Sequence, residues 1–480
     1  MKRNLLILIT CTFSLVPAFA PADVPERTST LADQQAVNVT IYNNDTALVH
    51  DRRRVALSAG INHIAWRDVS ASMDATSAIL DADGSSRVSV LEQNFDYDVL
   101  GQDALLRKYV GYNVIVVHPA RFAGERDRRE RAKILSYDNG DIVLQYADRV
   151  ETRIDGYIVF PRIPQSLRDR PTLTLDLQSA RVGPQQLDLR YLTSGLSWNV
   201  AYVGTLSADQ SQMSLVGLVT LNNTSGTSYH NARLQLVAGS LNLPATPGPL
   251  RTIARVTSNA GSDIYNVNAA QESIFAYHLY TIGHPTTILD KQTKQLALIS
   301  ANDIPVTTTL ELHGSTYYFQ NANVQQIGER LPVSVIVTFE NKGGDLGIPL
   351  PAGQMRIYQD DSHGLAQFVG ADNIPHTPKN DTVRLHLGDS FDVVAHRRQT
   401  DFHLLSNCNS RSAYEIDLTN GKDIAQDVTV FEPMPGLDWK ITAESQPHDK
   451  PTSTLARWLV RVPADGGASL TYTAEVRWCR

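Results

Sequence analysis

The densest group of side chains able to bind a metal or move a proton lies between His363 and His403. His363, His376, His386, His396 and His403 all fall there, out of thirteen histidines in the chain. Asp361-Ser362-His363 and Asp401-Phe402-His403 each set a carboxylate and an imidazole two residues apart. On an extended strand such residues share a face, so each pair resembles half of a zinc- or copper-type site. Asp360, Asp389 and Asp392 offer further oxygen ligands. Neither pair has an obvious third ligand, and polar pairs also suit turns and solvated strand faces. The metal candidates are therefore Asp361, His363, His376, Asp401 and His403. No catalytic or cofactor-binding residue is assigned, and no cofactor is expected.

Other chemistry-bearing patterns are weaker. The chain has no Gly-x-Ser-x-Gly elbow, no His-Glu-x-x-His, no phosphate loop and no dinucleotide fingerprint. Asp81-Ala82-Asp83-Gly84 opens like a calcium loop but lacks the later acidic ligand, and it reads as a turn. Arg126, Arg128, Arg129 and Arg131 alternate with Glu125, Asp127 and Glu130. A basic patch for an anionic glycan or lipid head group is one reading. The near-balanced signs favour a solvated hairpin tip. Trp66, Trp198, Trp439, Trp458 and Trp478 could stack on sugars, but most sit inside strand patterns, which points to the core.

The elements that carry these residues are strands. Leu173-Leu175-Leu177, Leu187-Leu189-Tyr191, Val333-Val335-Val337-Phe339, Val383-Leu385-Leu387 and Leu470-Tyr472-Ala474-Val476-Trp478 alternate with period two. No amphipathic helix of ordinary length competes. The expected fold is all-β, with several immunoglobulin-like sandwiches and a small SH3- or Sm-like barrel in the N-terminal half. At 480 residues one core is too few. The expected divisions are a signal peptide at 1–22, an N-terminal β domain at 35–102 and the barrel at 103–165. A central sandwich region follows at 172–400, with a mobile loop at 240–270, and an immunoglobulin-like domain at 401–480. In the barrel, Asn139-Gly140 signals a hairpin and Asp103 is the expected N-cap of one helical turn.

A strand leading into Asn and then Gly, Ser or Lys occurs three times, around Asn222-Asn223, Asn341 and Asn420. Left-handed backbone is the expected reason. Lys2 and Arg3, the apolar stretch Leu5 to Val16 and Ala20-Pro21-Ala22 form an export-signal pattern, with cleavage expected after Ala22. Lipidation at Cys11 fits poorly, because Thr10 precedes it. No later apolar run is long enough to span a bilayer as a helix. Cys408 and Cys479 then remain, and an even pair in an exported chain reads as a disulfide. A formal net charge of −7 gives no argument for nucleic acid.

Four stretches together resemble the bacterial domain of unknown function 4139 family, related to the C-terminal part of mucoidy-inhibitor-A-like proteins. They are Gly195-Leu196-Ser197-Trp198 with Leu221 to Tyr229, Asn231 to Gly239, Tyr277 to Thr281 with Gln292 to Gln295, and Pro349 to Gly353 with Ile374 to Lys379 and Gly388 to Val393. The resemblance implies an exported, non-transmembrane, β-rich protein and brings no activity or site residue. The expected function is a non-catalytic binding or structural role at the cell envelope, periplasmic or secreted, with an envelope protein or glycan as partner. The alternative is a metal-dependent hydrolase with a His/Asp site between Asp360 and His403.

Overall fold

Strands make up 66% of the chain and helix 4%, in several sheets, so the class is all-β and multi-domain. The computed structural model describes residues 25–82, 88–120, 125–164, 167–239, 270–274, 277–322, 327, 330–436 and 438–477. The expected signal peptide, the loop expected at 240–270 up to residue 269, Asp83, Gly84, Trp478 and Cys479 lie outside the described residues. The chain forms two compact units, 1–36 with 50–191, and 37–49 with 192–480.

These units differ from the expected boundaries. Thr172–Ser179, expected to open the central region, is a middle strand of the first unit. It pairs antiparallel with Gly60–Arg67 on one side and Val88–Asp96 on the other. Its inward leucines, Leu173, Leu175 and Leu177, are completely buried, as their spacing requires. Below them sits a buried charge. Arg53 donates from Nε to Asp51 at 2.9 Å, from Nη1 to the Ser29 carbonyl at 3.0 Å and from Nη2 to the Arg67 carbonyl at 2.7 Å. Trp66 and Gln34 donate to the same Asp51 carboxylate at 2.9 and 2.8 Å. A buried ion is tolerable when its donors are matched in this way.

The same unit contains a five-stranded antiparallel module, in the order Val150–Glu151, Asp141–Gln145, Arg128–Asp138, Asn113–His118 and Tyr157–Val159. The two outer strands of this sheet do not pair with each other. Val114, Val116, Ala132, Ile134 and Leu144 form its core with Leu106 and Tyr109. The hairpin at Asn139-Gly140 has positive φ at both residues, 48° and 96°, as a tight two-residue turn demands. The helix runs Gln102–Lys108 with Gly101 as its N-cap. Asp103 is not the cap; it lies in the first turn and accepts a hydrogen bond from the Tyr137 hydroxyl.

In the second unit two strands are very long, Gln292–His313 and Thr382–Ser406. Gln292–His313 pairs with Gln212–Asn223 over its first part and with Leu331–Glu340 and Gln426–Pro433 over its last. Thr382–Ser406 likewise pairs with Leu331–Glu340 and then with Asn409–Asn420. The boundary expected at 400/401 thus falls inside a continuous strand. The C-terminal core also reaches upstream, since Leu310, Leu312, Tyr318, Phe319 and Val333 pack with Tyr414, Trp458 and Tyr472. Within it Arg397 and Glu432 form an ion pair with both side chains wholly buried. A Cβ on Gly314 would collide with the Glu432 carboxylate, so glycine makes the room.

The three repeated asparagines share one job. Asn223, Asn341 and Asn420 are each at most 2% exposed, and none has a positive φ. The left-handed backbone expected from sequence falls on the glycines of two of these turns, Gly226 at 81° and Gly343 and Gly344 at 73° and 52°, and not on the asparagines. Each carboxamide instead sews its own turn to a neighbouring segment. Nδ2 of Asn223 donates to the carbonyls of Thr227 at 2.8 Å and Leu289 at 3.0 Å, while Oδ1 accepts from the Ser225 amide. Asn341 does the same with Ile348, Pro378 and Gly347, and Asn420 with Ile424, Pro463 and Lys422. Replacing Asn420 with Ala leaves these buried backbone groups unpaired, at about 1–3 kcal/mol each before relaxation. Asn420→Ala is expected to lower the denaturant midpoint of the second unit's unfolding, and Asn420→Asp, which lacks both donors, to lower it as well. An unchanged midpoint would refute the role.

Candidate functional site

Period-two alternation sorts the charges of Arg128–Asp138 onto opposite faces. Glu130 accepts from Arg149 Nη2 at 2.7 Å and lies 3.0 Å from Arg128, with His118 Nε2 at 3.6 Å. The hydrogen bond from Arg149, helped by the charges of Arg128 and His118, holds the Glu130 carboxyl below the usual carboxylate range. Arg149 also binds Glu151 at 2.7 Å and Asp148 at 2.9 Å, and its guanidinium covers the Tyr146 ring at 4.1 Å. Acids and their partners are thereby gathered on one side of the strand.

The other side carries Arg129, Arg131 and Lys133, all exposed and without an ion pair among the described residues. Cross-strand register extends this face. Arg131 lies opposite Ile115, and Ile115 opposite Val159; Arg129 lies opposite Val117, and Val117 opposite Tyr157. Lys133 lies opposite Asn113, where a groove of about 920 Å³ opens. Tyr109 and Tyr112 line it with Lys108, and Pro161, Arg162, Ile163 and Pro164 complete it. No carboxylate is among the described residues that line the groove. The Tyr109 hydroxyl donates to the Arg162 carbonyl at 2.6 Å, and the Tyr109 ring packs on Phe160 with centroids 5.0 Å apart. Tyr109 thus pins the segment after the last strand against the helix. Tyr112 and Ile163 remain 60% exposed. Lys108 is engaged by Asp98 at 3.3 Å. Arg162 makes no ion pair among the described residues.

Pro161 to Pro171 has the proline-rich composition of a linker, and the arginine run the mixed signs of a balanced tip. The usable signal was the parity of the charges: Arg129, Arg131 and Lys133 are odd-numbered on one strand, and Glu130 is even.

The histidine-rich stretch is more dispersed. Asp361 closes the turn between Gly353–Asp360 and Ala366–Ile374, accepting from the amides of His363 at 2.9 Å and Leu365 at 3.0 Å. Those backbone donors hold its carboxyl low. His363 is exposed, 3.4 Å from Ser362 Oγ. Asp401 and His403 do share a strand face, 3.1 Å apart and half exposed, as the spacing predicts. His386 lies 3.7 Å from Asp389, which also accepts from Ser334 Oγ at 3.2 Å. His376 uses Nδ1 to accept the Ala352 amide at 3.1 Å. Among the described residues no three His, Cys, Asp or Glu side chains come together as a metal set. The pairs stay pairs. Trp66, Trp198, Trp439 and Trp458 are buried in cores, as expected.

No protein-family model matches the chain. A search of curated proteins also finds no match.

His376 offers a direct check of this geometry. Burial, and then the nearby His278, lower its pKa below the usual 6.5. Protonation would also abolish Nδ1 as an acceptor for Ala352. The folded form binds the proton less well than the unfolded chain, so this contribution is present above the ordinary imidazole value and is lost as pH falls. NMR titration should find His376 protonating below the ordinary imidazole midpoint of about 6.5. A midpoint at or above that value would contradict the assignment.

Proposed function

We propose that the chain is an exported, non-catalytic β-sandwich protein that binds or organises an envelope component, a protein or a glycan, through the five-stranded module. The observation that carries this reading is a groove with no carboxylate among its described lining residues, beside three cations that have no ion pair among the described residues. A binding surface needs no more than complementary shape and charge on a stable scaffold. The dispersed histidines lend no support to a hydrolytic metal site. Among the described residues no helix is long and apolar enough to cross a membrane. Kinship with the domain of unknown function 4139 family is likewise proposed, on the stretches quoted above, and implies the same location.

Cell fractionation tests the reading. The chain is expected outside the cytoplasm, and elemental analysis of the purified protein should find no stoichiometric transition metal. A bound metal lost in a His363→Ala, His376→Ala variant would favour the hydrolase instead. Intact mass should place the mature N-terminus at Asp23, because Ala20 and Ala22 then occupy the two small-residue positions and Pro21 stays off the cleaved bond. A diacylglyceryl adduct on Cys11 would overturn the assignment.

We also infer a disulfide between Cys408 and Cys479. Antiparallel register pairs Asn409, next to Cys408, with Arg477, two positions before Cys479 in sequence, which supports it. Closing so long a loop is worth about 4 kcal/mol in the chain-entropy model. Non-reducing peptide mapping should recover the two cysteine peptides linked. Reduction should lower the unfolding midpoint. Complete alkylation of both thiols in the native oxidised protein would exclude the bond.

A further inference from the structure

We propose that the outward face of Arg128–Asp138, with the groove beside Asn113, binds an acidic polysaccharide. This rests on the envelope-binding reading above and names the class of ligand.

The first argument is electrostatic. The whole chain carries −7 and has a sequence pI near 6.0. Against that background Arg129, Arg131, Lys133 and Arg162 lack ion-pair partners among the described residues, while every ion pair of neighbouring Glu130 and Arg149 lies on the other face. A row of three cations without an ion pair among the described residues, on an acidic protein, complements a negatively charged partner, and the acids that share this face, Asp138 and Asp141, sit beyond the register shift at its far end.

The second argument is geometric. Residues two apart on a strand are separated by about 6.7 Å, so the three cations form a rigid, sparse row. Duplex nucleic acid presents a charge about every 1.7 Å and is met by strongly basic domains, unlike this one. Anionic bilayers recruit clusters of about four to eight Lys and Arg near the surface. Here the row leads instead into a defined groove walled by tyrosine and proline. Arginine forks match carboxylate or sulfate oxygens two at a time, and exposed Tyr112 and Tyr157 offer ring faces and hydroxyls to sugar rings. Sparse charge with ring-stacking surface is the chemistry of a charged glycan.

The test uses the full mature chain, with polygalacturonate as probe and dextran as the neutral control. At about 0.05 M salt, where screening is weak, polygalacturonate should bind and dextran should not; raising salt to about 1 M should abolish binding. Replacing Arg129→Ser, Arg131→Ser and Lys133→Ser together should weaken binding at least about tenfold, the product of three exposed charge contacts. Circular dichroism should show the fold intact, because all three side chains face solvent. Arg131→Ser alone should weaken binding a few-fold, which keeps the test alive if the triple variant misfolds. Tyr112→Ala should weaken it without changing its salt dependence. Arg461→Ser, on the other unit, should leave it unchanged.

Absence of polygalacturonate binding, equal affinity of wild type and triple variant, or equal binding to dextran would overturn the proposal. Tighter binding to phosphatidylglycerol vesicles or to single-stranded DNA would overturn it too. An exported chain that ignores polygalacturonate loses only this inference. A cytoplasmic chain that binds it loses the envelope reading instead.

Discussion

A strand shows alternate side chains to opposite sides, and almost everything distinctive in this protein follows from that constraint. It buries Leu173, Leu175 and Leu177 together in one core and Tyr414, Ile416 and Leu418 in another. The same rule strips Glu130 away from Arg129, Arg131 and Lys133, although the four are interleaved in sequence. Charge neutrality along a chain is therefore no guide to neutrality of a surface once the chain is extended. A helix would have mixed these residues around its circumference; a sheet separates them completely.

Sheets leave a second problem, which is what to do with backbone at their ends. A turn entering a buried corner brings carbonyls and amides that water no longer reaches, and each needs a partner. Asn223, Asn341 and Asn420 solve this three times with one side chain type, two donors facing carbonyls and one oxygen facing an amide. Aspartate lacks the donors and glutamine is a methylene too long for the same reach. Elsewhere burial of polarity is costlier. Arg53 has a partner for each nitrogen, whereas Arg397 leaves Nε and Nη1 without one beside its buried partner Glu432. Breaking such a pair from one side typically costs about 3–5 kcal/mol, because the survivor is stranded.

Fold class was legible in the sequence because periodicity is local. The hairpin at Asn139-Gly140 was legible for the same reason, since its turn residues fix their neighbours. Unit boundaries were not. Nothing near Thr172 announces that it pairs with Gly60–Arg67, and nothing near Asp401 announces that its strand began at Thr382. Such pairings are set by shape matching between segments far apart. The carboxylate and imidazole of Asp401 and His403 came together as spacing required, while Asp361 was claimed by its own turn amides. The groove escaped notice because Pro161 to Pro164 carries the composition of a connector, and only its packing on Tyr109 gives it a wall.

Gln292–His313 and Thr382–Ser406 have a mechanical consequence. Each begins in one part of the second unit and ends in another, so the two parts share continuous strands where most multidomain chains have a loop. Tension applied between them meets no slack segment that could extend first. It must instead load rows of interstrand hydrogen bonds lengthwise, many at once, before either part can open. Built in this way, the parts of the unit are coupled through shared backbone as well as through side-chain packing.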